Sequence, residues 1–279
     1  MPTSIDSLTI MNDFMFSTVM KKEEFCIPFL EAILGVKIRS ITYLNTQESI
    51  QAEIPDSRGV RLDVYVEDDA NTVYDIDMQT TSNSNLAKRM RMYQSMIDAR
   101  ALEAGDDFNL LKKSFVIFIT TYDPFGADRY VYTFRSRCDE DSSIVLKDAA
   151  TKIVVNTMGT VGEVNPELAT LIRYMKDGDT GNEYTDKLDR EVQLIRNDEK
   201  WRHDYMTLAQ RDTQNKYVGK HSLWVEQVRK NSTRFAVKDM EGIFQIPEED
   251  CKEILDLIAA HPDWSDDEIA DHVMWEEWK

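Results

Sequence analysis

Residues 59–80 constrain the fold most, because polar and apolar residues alternate there on both sides of a short turn. The alternating runs are 59–67 and 72–80, separated by the turn-forming sequence Asp-Asp-Ala-Asn. A period of two is typical of β-strands, and two such runs around a short turn predict a β-hairpin. We expect Glu67 to pair with Val73 across the turn. The residues expected to face the core are Val60, Leu62, Val64 and Val66.

The polar face of this hairpin brings acidic side chains together. The expected register sets Asp63 opposite Asp77, and Arg61 opposite Gln79. Two ionised carboxylates at cross-strand distance repel each other unless a cation or a proton lies between them. Hard oxygen ligands favour Mg²⁺ or Mn²⁺. The alternative is that Asp63, with Asp75 or Asp77, is merely solvated on the open face of the hairpin.

The remaining periodicities predict an α/β domain with a mixed central sheet flanked by helices. Helices are expected at 23–34 and 85–103, and strands at 36–45, 114–121, 129–137 and 151–157. Strand 114–121 is continuously apolar, which is typical of a strand covered on both faces, whereas 129–137 alternates like an outer strand. In strand 36–45 we expect Val36, Ile38, Ile41 and Tyr43 to pack inward.

A second, helical region is predicted after the Gly/Asp-rich stretch 176–184. We therefore expect one domain at residues 1–175 and a helical, acidic C-terminal region at 185–279. Near the end, Ser265 and Glu268 have the spacing of a capping box at the start of a terminal helix.

The charge of the chain is unevenly distributed. The net charge is −18, from 33 Lys and Arg against 51 Asp and Glu, which argues against nonspecific attraction to nucleic acid. Residues 81–137 nevertheless carry nine basic and six acidic residues, whereas residues 240–279 carry two basic and thirteen acidic residues. The acidity is therefore concentrated near the C-terminus.

The three cysteines lack the spacing of a zinc finger or a disulfide framework. This usage fits a reducing compartment, and the N-terminal residues lack a basic stretch followed by a long apolar run. We therefore expect a soluble, cytoplasmic protein without membrane association.

Five blocks of sequence resemble the PD-(D/E)XK nuclease superfamily, in its branch of recombination-promoting nucleases, also labelled nuclease-family transposases. They occur in family order over roughly residues 10–175. The blocks are NDFMF (12–16), RLDVYVED (61–68), VYDIDMQT (73–80), LAKRMRMYQSMID (86–98) and SFVIFITTYDPFG (114–126).

This resemblance implies a restriction-endonuclease-like core and a Mg²⁺- or Mn²⁺-dependent DNA endonuclease. It implies that Asp63 binds the metal, that Asp77 is the second acidic ligand, and that Gln79 takes the third motif position. Two residues depart from the superfamily pattern. Asp77 stands where Glu is preferred and is one methylene shorter, while Gln79 stands where the wider superfamily has Lys, although this branch often carries Gln.

Two further groups of residues have alternative interpretations. Asp13 matches an acidic family position and would add an auxiliary ligand, but it could instead cap the helix that follows. The basic residues Lys88, Arg89 and Arg91, together with Arg61, are interpreted as phosphate contacts, against the alternative of ordinary surface charges. Tyr93 and Gln94 are expected to serve packing and solvent contact.

The sequence leaves two functional hypotheses. The first is a metal-dependent DNA endonuclease associated with recombination or mobile elements. The second is a protein that keeps the nuclease fold without catalysis and engages a protein partner through its acidic C-terminal region. Because one site per chain would require a dimer to cut both strands at once, the first hypothesis also predicts a homodimer.

Overall fold

A mixed sheet organises the N-terminal part of the computed structural model, which describes residues 4–44, 63–82 and 85–277. Within these residues the strands form a six-stranded sheet of order β1-β2-β3-β4-β6-β5. Strands β3, β4 and β6 are parallel, and the other neighbours are antiparallel. The strands are β1 (Ile41–Tyr43), β2 (Val64–Asp68), β3 (Val73–Gln79), β4 (Ser114–Thr120), β5 (Val131–Phe134) and β6 (Ala150–Asn156).

The β2–β3 hairpin has the predicted register, with Glu67 paired to Val73. Asp68 forms the turn because its Oδ1 accepts hydrogen bonds from the amides of Ala70 and Thr72, at 2.9 and 2.8 Å. Asn71 has a φ of 58°, a conformation that Asn tolerates better than most residues. The predicted start of the first strand, including Val60 and Leu62, lies outside the described residues.

Helices of the first unit cover both faces of the sheet. They are α1 (Asp13–Met20), α2 (Glu23–Leu34), α3 (Leu86–Ala101), α4 (Pro166–Asp177) and α5 (Glu183–Asn197). Helix α2 ends at Gly35, as predicted, because the glycine takes a left-handed φ of 67°. Helix α3 packs on one face of the sheet through Met90, Tyr93 and Ile97.

Strands β4 and β6 lie within one residue of their predicted bounds, whereas β5 occupies only Val131–Phe134 of the predicted 129–137. Every residue of β4 is buried, as expected of a strand covered on both faces, and β5 lies at the edge of the sheet. The expected strand 36–45 is wrong in extent. Only Ile41–Tyr43 forms a paired strand. Ile38 is buried as predicted, but Val36 and Tyr43 are 52% and 37% exposed, so the inward packing expected of these two residues is wrong.

The chain divides after Asp198 into two compact units. The second contains α6 (Glu199–Asn231), α7 (Val237–Phe244), α8 (Glu248–Ala260) and α9 (Asp266–Glu277), packed around their own apolar core. Helix α5, which follows the predicted boundary at 176–184, contacts α1, α2 and α4 and so lies in the first unit. No described segment forms a helix with both the length and the hydropathy of a membrane span.

The predicted capping box forms at the start of α9. Ser265 Oγ accepts from the Glu268 amide at 3.2 Å, while the Glu268 carboxylate accepts from the Ser265 amide at 2.7 Å. Two backbone donors at the helix start are thereby satisfied, which fixes where α9 begins.

Candidate active site

Alternation along β3 places three polar side chains on the sheet face covered by α3. Asp75, Asp77 and Gln79 are 0%, 3% and 5% exposed. The alternative interpretation, that these aspartates are solvated on an open face, is therefore wrong for Asp75 and Asp77. Burial of charged groups is costly unless they are paired, so their contacts determine what this face can do.

Asp63 directly precedes β2, and extending the hairpin register by one residue places it opposite Asp77. Its Oδ2 accepts a hydrogen bond from the Met78 amide at 3.3 Å, which ties it to the strand that carries Asp77. Asp63 is partly exposed, unlike Asp77. The paired carboxylates therefore differ in environment, with one at the mouth of the site and one inside.

Asp77 belongs to a closed ring of hydrogen bonds with Gln79, Arg89 and Tyr93. Gln79 Nε2 donates to Asp77 Oδ1, and Tyr93 Oη donates to Asp77 Oδ2 at 2.5 Å. Arg89 closes the ring by donating from Nη1 to Gln79 Oε1 and from Nη2 to Tyr93 Oη, the latter at 3.1 Å. Arg89 Nη2 also lies 4.0 Å from Asp77 Oδ2. The ring holds both Asp77 oxygens in fixed directions.

Burial raises the pKa of Asp77 from 3.8 to about 6. The hydrogen bond from Tyr93, the positive charge of Arg89 and the hydrogen bond from Gln79 each pull this pKa down, whereas the negative charge of Asp13 pushes it up. Desolvation outweighs these partners, so the ring only partly compensates the buried charge.

Asp75 is the most isolated of the three. Within the described residues, neither of its carboxyl oxygens has a hydrogen-bond partner. Burial, followed by the charges of Asp77 and Asp63, raises the pKa of Asp75 well above its ordinary value. These effects favour the neutral, protonated form of Asp75.

Asp13 occupies the first turn of α1 and is exposed. It does not cap the helix, because Asn12 is the N-cap and accepts from the amides of Phe14 and Met15 at 3.1 and 3.3 Å. The capping interpretation of Asp13 is therefore wrong. Its effect on the pKa of Asp77 shows that its charge acts on the site.

The predicted basic cluster is divided by the helix geometry. Lys88 and Arg91 are exposed on α3, whereas Arg89 turns into the site and its side chain is 34% exposed. Arg61 lies outside the described residues.

The side chains of Tyr93 and Gln94 donate buried hydrogen bonds that the sequence does not indicate. Tyr93 bonds Asp77, and Gln94 is buried and donates from Nε2 to Ser114 Oγ at 2.8 Å, so the expectation of solvent contact is wrong. One sequence signal could have indicated the role of Tyr93. Arg89 and Tyr93 are four residues apart, which places both on one face of α3.

A family model described as PD-(D/E)XK nuclease family transposase matches residues 10–156. The chain belongs to this family. The match extends from just before α1 to the end of β6 and so includes every residue of the ring, Asp63 and Asp13. The helical second unit lies outside it. No curated protein and no solved structure matches the chain significantly.

PD-(D/E)XK nucleases generally use divalent metals, and the acidic residues of this site determine whether such an ion fits here. In residues 4–44, 63–82 and 85–277, no three Asp, Glu, His or Cys side chains are grouped so that they could hold a metal ion, so Asp13 does not join Asp63 and Asp77 as a third ligand. Asp63 and Asp77 provide two adjacent carboxylates, one of them at the mouth of the site. Mg²⁺ is commonly held by one or two carboxylates with water and substrate phosphate as further ligands, so this donor set fits Mg²⁺ or Mn²⁺.

Proposed function

We propose that this protein is a metal-dependent endonuclease that hydrolyses phosphodiester bonds in DNA, in the context of recombination or mobile elements. One observation carries the proposal. Asp77 is a buried carboxylate whose pKa is raised to about 6, and it lies opposite a second carboxylate, Asp63. Burial destabilises the ionised form of Asp77, and a bound cation would compensate this negative charge.

Asp63 and Asp77 would hold Mg²⁺ or Mn²⁺, and the negative charge of Asp13 would act on Asp77 without ligating the metal. When bound, such a metal supplies Lewis-acid polarisation of a phosphate and lowers the pKa of water. Tyr93 and Arg89 keep the Asp77 carboxylate in a fixed rotamer. The short Asp77 side chain needs this support because octahedral Mg²⁺ tolerates little displacement of its ligands.

Arg89 and Gln79 would position the substrate phosphate. The guanidinium of Arg89 uses two of its donors in the ring and has further N–H groups with which to bind phosphate oxygens. The exposed Lys88 and Arg91 lie on the same helix and would hold neighbouring phosphates of the strand. The chain is acidic overall, so binding should depend on this local basic surface and weaken steeply with salt.

Plasmid cleavage with Mg²⁺ or Mn²⁺ tests the proposal. Asp63→Asn and Asp77→Asn should abolish metal-dependent nicking, whereas Asp69→Asn should leave it unchanged. Asp69 is an exposed acid in the turn of the same hairpin, so this control removes one negative charge outside the site. Nicking that survives in both site variants would refute the assignment.

The closed ring also favours a second candidate, a binding protein that keeps the nuclease fold without catalysis. Both Asp77 oxygens already accept hydrogen bonds, so the carboxylate is partly satisfied without a metal. The acidic helical unit would then engage a protein partner. Calorimetry with Mn²⁺ distinguishes the candidates, because only the endonuclease requires an ion whose binding is lost in Asp63→Asn.

Double-strand cleavage by a chain with one site would require a homodimer. Sedimentation of the purified protein with DNA should then give a complex containing two chains. A complex with one chain would restrict the enzyme to nicking.

A further inference from the structure

Two aromatic rings are exposed beside each other at the outer edge of the sheet. Phe125 and Phe134 are 41% and 43% exposed, and their ring centroids are 5.0 Å apart. Tyr132 lies beneath them, with its ring centroid 4.8 Å from that of Phe125, and is only 8% exposed. We call Phe125, Tyr132 and Phe134 the aromatic ledge. Large apolar side chains on a surface most often mark a binding site when they are contiguous.

The ledge is held rigidly by Asp123. Its Oδ1 accepts from the Phe125 amide at 3.0 Å and from Tyr132 Oη at 2.7 Å, and its Oδ2 accepts from the Asp128 amide at 2.6 Å. These bonds tie the loop that carries Phe125 to strand β5, which carries the other two rings. Rings held in place before binding lose little conformational entropy when a ligand stacks on them.

The ledge lies on the same face of the sheet as the candidate active site. Tyr132 belongs to the apolar core beneath α3, and Phe134 follows two residues later on the same strand. Strand β5 is three strands from β3, which at strand spacing corresponds to roughly 14 Å from Asp77. That distance is about four steps along the helix axis of one strand of duplex DNA, and fewer along an extended single strand.

Arginines are concentrated in the residues that flank strand β5. Residues 129–137 include three arginines and no acidic residue, and Arg129, Arg135 and Arg137 are all exposed. Lys152 pairs with Phe134 across β5 and β6, so it lies on the same face.

Acidic residues also lie nearby. Asp123 accepts the bonds described above, Asp128 is exposed, and Asp148 is exposed and accepts a hydrogen bond from Ser136 Oγ at 2.8 Å. An acidic stretch at 139–141 follows the last of the three arginines.

We propose that the aromatic ledge stacks on unpaired bases of the DNA strand that enters the active site. This inference rests on the proposed function and names its substrate class: DNA with a single-stranded segment, such as a flap, an overhang or a melted junction. Aromatic rings stack on bases of any sequence but reach them only where the bases are unpaired. Arginines beside the rings would bind the intervening phosphates.

Fluorescence anisotropy without divalent metal tests this proposal, using a labelled oligothymidine and a labelled duplex. The double variant Phe125→Leu/Phe134→Leu keeps the apolar surface and removes the aromatic faces. We expect it to bind the oligothymidine about tenfold more weakly or worse, and the duplex unchanged. Phe125→Trp/Phe134→Trp should retain or increase affinity.

Phe108→Leu is the matched control, because Phe108 is 80% exposed in the connection that precedes β4. It should leave both affinities unchanged. Thermal unfolding of each variant checks that the fold is retained. Equal oligothymidine affinity for the wild type and the double leucine variant would overturn the proposal. So would a loss of self-association in that variant with unchanged DNA binding, which would identify the ledge as a protein interface.

The binding assay separates this proposal from the proposed function. Oligothymidine binding through the ledge without any plasmid cleavage would support the proposal that the ledge binds unpaired bases and would reject the proposed endonuclease activity. Metal-dependent plasmid cleavage with unchanged oligothymidine binding in the double leucine variant would support the endonuclease and reject the role of the ledge.

Discussion

The free energy of unfolding of Asp77→Asn, relative to that of the metal-free wild type, should increase as the pH rises from about 4 to about 7. The pKa of Asp77 is 3.8 in its ordinary state and about 6 in the folded protein. The folded state therefore binds this proton more tightly than the unfolded state does. Its contribution to stability is fully present below the ordinary pKa and is lost as the pH rises through about 6.

The magnitude follows from the difference of about two in pKa, which corresponds to about 3 kcal/mol. Asparagine stays neutral at every pH, so it does not carry this loss. Asparagine has only one side-chain oxygen, so it cannot accept the hydrogen bonds from both Gln79 and Tyr93 in the way that Asp77 does, and one of the two is lost. The cost of the lost hydrogen bond is nearly the same at each pH. The pH dependence of the difference in unfolding free energy between variant and wild type therefore reports the cost of the buried Asp77 charge.

Urea unfolding in EDTA measures this difference across the pH range. The free energy of unfolding of Asp77→Asn, minus that of the wild type, should increase by about 2–3 kcal/mol between about pH 4 and about pH 7, because part of the full effect is already lost at pH 4. Added Mg²⁺ at about pH 7 should stabilise the wild type and not the variant. A difference that is constant with pH would refute the argument that burial of the Asp77 charge prepares the site for a cation.

Three further substitutions test neighbouring parts of the structure. Tyr93→Phe removes the hydroxyl donor to Asp77, so the pKa of Asp77 should rise further and the protein should lose about 1–3 kcal/mol at neutral pH, measured by carboxyl NMR titration and urea unfolding. Asp75→Val replaces a buried carboxyl, which has no hydrogen-bond partner among the described residues, by an apolar group, and should raise the free energy of unfolding by about 1–3 kcal/mol. Gly159→Ala would place a Cβ 2.7 Å from the backbone of Arg129 and Tyr130, and should lower it by about 1–3 kcal/mol.

Each of these substitutions has an outcome that contradicts its reasoning. An unchanged Asp77 titration in Tyr93→Phe would mean that the hydroxyl does not support the carboxylate. A destabilised Asp75→Val would mean that Asp75 has a partner in solution, such as water. A Gly159→Ala variant as stable as the wild type would mean that the neighbouring backbone moves without strain.

Much of the fold follows from local sequence patterns. The hairpin register depends on a period of two and on a turn whose residues bond their own backbone. The end of α2 depends on a glycine that takes a left-handed conformation, and the start of α9 on a serine and a glutamate three residues apart. Each feature involves residues close in sequence, where chain geometry fixes which side chains meet. The start of the strand at Ile41 could not be predicted, because that strand is short and pairs with β2, more than twenty residues later.

The sequence by itself determined which carboxylates of the hairpin lie opposite each other, because register and alternation are properties of the two strands alone. Only the tertiary structure decided that this polar face is covered by α3. That packing buries Asp77, raises its pKa and directs Arg89 and Tyr93 to it. It also leaves Asp75 without a hydrogen bond from any residue that the structure describes. Helical spacing shows that Arg89 and Tyr93 share a face, but which strand they contact depends on how α3 packs across the sheet, and no local pattern encodes that.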